Sequence, residues 1–242
     1  MLGHEAGLLT TSGTMSNLLA TLTYCNHGDE IVMGDQAHMF WNEGGGQAAL
    51  AGVQTRLIPQ NASGGINAED VARNIRPAGN PHVAATKIVC LENTQNRCSG
   101  MVMTTAETKA VCEVAHEAGV AVHLDGARIF NAAVALEVPV AELTKDVDDA
   151  SFCLSKALSC PVGSVLVGSN DFFREANRWR KMAVGGMRHA DPSGSVAGIT
   201  GAVVRSLGGA TVAGANVVVR DANGRPLRSI LSESDGDFTI HG

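Results

Sequence analysis

Two stretches decide the fold: V-A-V-H-L-D-G-A-R at residues 120–128 and S-F-C-L-S-K at residues 151–156. Each begins as a short apolar run of strand character and ends in charged groups, Asp125 and Arg128 in the first and Lys156 in the second. Buried charges of this kind need partners, so both stretches mark places where chemistry is set up. Ahead of the first lies a helical pattern over residues 105–117, with Thr104 or Thr105 as its cap and Gly119 just past its end. A strand, a helix and another strand in that order make a parallel β/α unit. Working outward, strands are expected at residues 30–33, 54–58, 87–91, 120–124, 151–154 and 164–167, and helices at 14–24, 105–117 and 171–182. The reading is an α/β domain with a mostly parallel sheet over residues 1–190. Ligands of open α/β sheets sit outside the carboxyl ends of the strands, where Asp125 and Lys156 fall.

Composition narrows the function. A formal charge of -6 argues against nucleic acid or an anionic membrane as a partner. The 45% hydrophobic content over 242 residues is ample for a core. Six cysteines show no C-x-x-C pair and lie mostly in apolar runs, as reduced thiols of a cytoplasmic protein do, and no metal site is expected. The first residues have no basic and apolar leader pattern, and no run is long enough to span a membrane. After residue 190 the helical period stops. Residues 191–242 read as a short β-rich segment, with hairpin turns at Asp221-Ala-Asn-Gly224 and Asp235-Gly236.

Several strand ends carry groups with chemical reach. T-T-S-G-T-M-S-N at residues 10–17 is a turn entering a helix, where first-turn amides around Gly13 and Thr14 make an anion site. His38 follows a strand and can stack on a flat ligand or relay a proton, with Glu43 nearby. Gln95 lies in a polar cluster, C-L-E-N-T-Q-N-R-C-S-G, at another strand end. Each has an ordinary alternative: a capped helix start, a loop histidine satisfied by backbone, a polar connection, an Asp125–Arg128 ion pair, a surface lysine. Their coincidence in chain order favours a site. A lysine that reacts as a neutral amine, an aspartate that keeps a pyridine nitrogen protonated and an arginine for a carboxylate are the groups that hold pyridoxal phosphate.

Read together, S-G-T-M-S-N-L, G-D-Q-A-H-M-F, L-E-N-T-Q-N-R, H-L-D-G-A-R-I-F-N-A-A-V-A-L, S-F-C-L-S-K-A-L-S-C-P-V-G-S and R-W-R-K-M-A-V-G-G-M-R resemble the low-specificity L-threonine aldolases, fold-type I pyridoxal-phosphate enzymes. The resemblance runs from about Glu5 to His189. It implies a large α/β domain of fold type I and the cofactor pyridoxal 5′-phosphate. Lys156 would bond to the cofactor, Asp125 would meet its ring nitrogen, and Gly13 and Thr14 would hold its phosphate. His38 would stack on the ring as a catalytic residue, with Arg128 and Gln95 on the substrate. The implied reaction is retro-aldol cleavage of threonine, allo-threonine and related β-hydroxy-α-amino acids to glycine and an aldehyde, in a homodimer or homotetramer. A β-eliminating enzyme of the same class is the nearest alternative.

The chain departs from the family pattern at Gln95, where the family has a histidine, and glutamine is no base near neutral pH. By the same resemblance, the family's N-terminal S-D-T segment and its small C-terminal domain are expected to be missing. The tail from about Ser195 resembles instead part of a carboxypeptidase-regulatory-like β module, through G-A-N-V-V-V-R-D-A-N-G-R-P-L and S-E-S-D-G-D-F-T-I. Two rival expectations follow: a protein that binds cofactor without turnover, and a non-catalytic module whose working part is the β tail.

Overall fold

Alternating buried runs and amphipathic segments build a single seven-stranded sheet with helices on its faces. The computed structural model describes residues 2–186 in full and, beyond them, the backbone of four strands. The chain runs β1 (Ala6–Thr10), α1 (Gly13–Tyr24), β2 (Glu30–Gly34), α2 (His38–Trp41), α3 (Gly46–Ala49), β3 (Gln54–Ile58), α4 (Ala68–Asn74), β4 (Thr86–Glu92) and α5 (Thr105–Glu117). It continues through β5 (Ala121–Asp125), α6 (Ile129–Leu136), α7 (Val140–Thr144), β6 (Asp149–Cys153), β7 (Ser164–Gly168) and α8 (Asn170–Met182). The strand order is β1-β7-β6-β5-β4-β2-β3, and β7 alone runs against the rest. The expected α/β fold with a mostly parallel sheet is what forms.

Period-two alternation assigns the faces. Val32, Val89, Val122 and Leu124 point into one core with Val111, Cys112 and Ala115 of α5. Ile31, Met33, Ile88 and Cys90 point to the other side, where α1 contributes Leu18. A third cluster joins Leu19 and Ala20 of α1 to Leu166, Phe172 and Ala176. Because Cys90 stands in register with His123, the α1 side of β5 carries His123 and Asp125 after Ala121. Glu92 is in register with Asp125, which pairs with Ser151, while His123 pairs with Asp149. A row of polar groups thus runs across the buried sheet beneath α1.

Local signals explain the element ends. Thr104, rather than Thr105, caps α5: its hydroxyl accepts from Glu107 N at 3.2 Å while Glu107 Oε2 accepts from Thr104 N at 2.7 Å. Thr104→Ala is expected to lower the unfolding free energy by about 1 kcal/mol, measurable by urea denaturation. Gly126 is required by close approach, since a Cβ there would lie 2.7 Å from the Ser151 carbonyl oxygen. Its own N–H donates to that oxygen at 2.8 Å, tying the end of β5 to β6.

Several elements differ from the sequence expectation. β1 was not expected; it is an edge strand held by antiparallel pairing to β7, a long-range contact with no local signature. β6 starts two residues before the expected 151, because Asp149 is buried in the sheet against His123 instead of lying in the connection. β5 includes Asp125 as its last residue. The short helices α2, α3, α6 and α7 have no side-chain cap.

The chain divides into two compact units, residues 1–186 and 187–242. In the second, β8 (Ile199–Ala202) pairs antiparallel with β11 (Asp237–Ile240), and β9 (Asn216–Arg220) with β10 (Pro226–Leu231). The expected turns at 221–224 and 235–236 lie outside the described residues, as does most of the stretch resembling a carboxypeptidase-regulatory-like module. Among the described residues no helix is long and apolar enough to cross a membrane.

Candidate active site

The carboxyl ends of β1, β2, β5 and β6 open on one cavity of about 260 Å³, lined among others by Gly13, Thr14, His38, Glu43, Asp125 and Lys156. Its first wall is the start of α1. Ser12 is the cap, its hydroxyl accepting from Met15 N at 3.2 Å. The amides of Gly13 and Thr14 precede the first helical bond, and the helix dipole adds partial positive charge. Gly13 packs close to β6: a Cβ there would lie 3.2 Å from Cys153 Sγ.

Asp125 forms a second wall and is 3% exposed. Its Oδ2 accepts from Asn17 Nδ2 at 2.8 Å, and its Oδ1 accepts from Ala127 N at 3.1 Å. With both oxygens accepting N–H groups, its inventory is that of a carboxylate. Asn17 also donates to Glu43 Oε1 at 2.8 Å, and Gln47 supports Glu43 Oε2 at 3.2 Å. Glu43 in turn meets His38 Nδ1 at 3.1 Å. That hydrogen bond is the main reason the half-buried His38 imidazole is pushed above its ordinary pKa; burial opposes the shift and Asp125 adds to it. One ligand atom each from His38, Glu43 and Asp125 lies within 4.8 Å of the others, a grouping that could also hold a metal ion. The Asn17 amide already supplies a donor to both carboxylates.

Lys156 is half-buried and lies three residues past β6, in the connection to β7. That connection is closed by Leu154 N donating to the Gly163 carbonyl and Cys160 N to the Leu154 carbonyl, both at 3.0 Å.

The other two expected residues lie elsewhere. Arg128 is outside the cavity lining; its Nη1 donates to Asn96 Oδ1 at 3.2 Å, and among the described residues it makes no ion pair with Asp125. Gln95 is 1% exposed and spends its amide on structure. Its Nε2 donates to the Gln36 carbonyl and Glu92 Oε2, and its Oε1 accepts from Cys98 N. Asn17, His123 and Asp149 were not singled out by the sequence reading, although a histidine two residues before Asp125 on a buried strand must share its face and find partners.

Glu92, at the end of β4, receives His38 N at 2.8 Å and Asn96 N at 2.9 Å. Burial first, and the neighbouring Asp125 charge second, push its carboxyl up to about 7 despite those donors. A folded pKa above the unfolded one of about 4.3 means that the favourable contribution is complete below that value and is lost as pH rises through 7. Glu92→Gln, a neutral mimic, is therefore expected to gain on the wild type as pH rises from about 5 to about 8, by on the order of 3 kcal/mol in unfolding free energy. Parallel urea curves for the two proteins would read this; a difference constant with pH would contradict it.

Comparison with known proteins places the chain in a family. The beta-eliminating lyase family matches residues 1–221. Low-specificity L-threonine aldolase 1 of Arabidopsis thaliana is 41% identical over 190 residues, 78% of this chain and 53% of that protein. The low specificity L-threonine aldolase of Escherichia coli (strain K12) is 43% identical over 188 residues, 78% of this chain and 55% of that protein. The chain thus spans about half the length of the curated relatives it matches. In fold it is similar to the Leishmania major threonine aldolase, with a TM-score of 0.67 at 22% identity over 75% of this chain and 53% of that one. A sheet of this order, a cavity at its carboxyl ends and a family match over most of the sequence lead to one statement: the chain belongs to the beta-eliminating lyase family.

Proposed function

We propose that the protein binds pyridoxal 5′-phosphate and cleaves L-threonine, L-allo-threonine and related β-hydroxy-α-amino acids to glycine and an aldehyde. The observation that carries this reading is that one cavity gathers Gly13, Thr14, His38, Asp125 and Lys156. The donor set fits the cofactor. First-turn amides suit a phosphate, a carboxylate with both oxygens accepting suits a protonated pyridine nitrogen, and a lysine amine suits an aldehyde. When bound, the cofactor supplies an electron sink for charge developing at the substrate's α-carbon.

The chain's own residues do the rest. Gly13 and Thr14 would hold the phosphate, Asp125 would keep a proton on the ring nitrogen, Lys156 would supply the attaching amine, and His38 would lie against the ring. With Nδ1 engaged by Glu43, Nε2 is the His38 atom through which a proton from the substrate hydroxyl can pass. Gln95 we assign to bracing the end of β4, since its amide is fully engaged there. Assembly into a homodimer or homotetramer in the cytoplasm belongs to the same proposal, supported by the exposed Phe40, Trp41 and Leu50 close to His38 in the chain.

Binding without turnover is the second reading, and the position of Arg128 favours it: a carboxylate-binding arginine should face the cavity, and this one donates to Asn96. Adding pyridoxal phosphate to the purified protein and reducing with borohydride should leave the cofactor on Lys156, and incubation with threonine should release acetaldehyde. Cofactor fixed on Lys156 with no aldehyde would select the second reading. No cofactor on Lys156 would dismiss both.

A further inference from the structure

The hydrogen-bond inventory behind Asp125 fixes a proton. Asn17 gives both N–H bonds of its amide to acids, Asp125 Oδ2 and Glu43 Oε1, each at 2.8 Å. Turned over, the amide would face two carboxylates with its oxygen, so its orientation is determined. Its Oδ1 must then accept, and its neighbours are Ser151 Oγ at 3.2 Å and His123 Nε2 at 3.0 Å. His123 Nε2 is therefore a donor. The other ring nitrogen, Nδ1, lies 2.6 Å from Asp149 Oδ1, and a carboxylate there only accepts. With Asp149 ionised, both nitrogens carry hydrogen, on a ring that is fully buried.

We propose that His123 is a positioning residue: as an imidazolium clamped by Asp149, it locks the Asn17 amide and so holds Asp125 as an oriented, ionised acceptor. Its purpose rests on the cofactor reading above, because an acceptor of that kind retains a proton on a ring nitrogen. The groups around His123 are consistent with a stored positive charge. Asp149 faces it from β6, Asp125 ends its own strand, and Glu43 follows α2. Burial works against the charged ring, and these three anions outweigh it. Cys90 on β4 and Tyr24 on α1 are pushed upward by burial and stay neutral, and burial pushes His4, near Asp149, downward. Against an ionised Asp149, a neutral His123 would have to abandon either Asn17 or Asp149, and a freed Asn17 amide would no longer define where the Asp125 oxygens point.

The test uses full-length, cofactor-free protein with 15N-labelled histidine, the His123 signals being assigned by their loss in His123→Gln. Long-range proton–nitrogen correlation should find both ring nitrogens protonated at about pH 8, where an ordinary histidine of pKa about 6.5 is neutral. Asp149→Asn should make the ring neutral. A singly protonated ring in the wild type at that pH overturns the proposal. In the second arm, Asp149→Asn and His123→Gln, checked for folding by circular dichroism, are titrated with pyridoxal phosphate. Affinity should fall about tenfold, and the pH midpoint of the bound cofactor's absorption band should move by about one unit. Folded variants with wild-type affinity and midpoint overturn the positioning role. Wild-type protein that takes no cofactor while its His123 ring is doubly protonated overturns the cofactor reading instead.

Discussion

Lys156→Ala is expected to abolish covalent capture of pyridoxal phosphate and to lower threonine cleavage by on the order of a thousandfold or more. Among the described residues, Lys156 is the lysine that lines the cavity with Asp125 and the start of α1. The loop that carries it is tied at both ends by backbone bonds to Gly163 and Leu154 rather than by its own side chain, so alanine removes the amine without releasing the loop. Loss of activity with a native circular dichroism spectrum and unchanged unfolding would place the effect in chemistry. Lys109→Ala is the control, since that lysine is exposed on α5 and makes only an i,i+4 pair with Glu113. Reduction with borohydride followed by peptide mass mapping reads the result directly. Cofactor still fixed to the alanine variant would show that another amine does the work.

How much of this site is legible in the sequence depends on what kind of contact places each residue. Gly13, Thr14, His38, Asp125 and Lys156 follow or end strands, and a chain that alternates strands with helices delivers such positions to one edge of a parallel sheet. That is a local pattern plus a topological rule. Asp149 is different. It reads as part of a polar connection, and its burial becomes intelligible only when β6 lies beside β5 with Asp149 in register with His123. Asn17 is likewise one polar residue among several in α1 until that helix is laid over a strand that carries acids. Arg128 and Gln95 show the opposite limit. Their types suit a substrate, but where a long side chain points beyond a strand end is decided by the partners it meets, here Asn96, Gln36 and Glu92.

Asp125→Asn keeps shape and removes charge, and it is expected to lower threonine cleavage by about 10²–10³-fold, equivalent to about 3–4 kcal/mol of lost electrostatic stabilisation. The carboxylate accepts from Asn17 on one oxygen and from Ala127 N on the other. An asparagine keeps only one acceptor oxygen, so one of those donors faces an N–H group and the side chain cannot hold a proton on a ring nitrogen. The substitution also has an electrical signature in the cofactor-free protein. Asp125 is among the causes that raise both His38 and Glu92, so removing its charge should lower both pKa values. For His38 this means that the imidazolium is lost at a lower pH than in the wild type, and for Glu92 that the carboxylate persists to a lower pH. Asp125→Glu restores the charge at a longer reach: His38 should return toward its wild-type midpoint while cofactor affinity stays reduced. A merely structural role for Asp125 predicts a different pattern, a drop in stability with the His38 midpoint unmoved. Ring-proton titration of His38 in the two variants therefore separates charge from shape, and an unmoved midpoint together with full threonine cleavage in Asp125→Asn would remove Asp125 from the site.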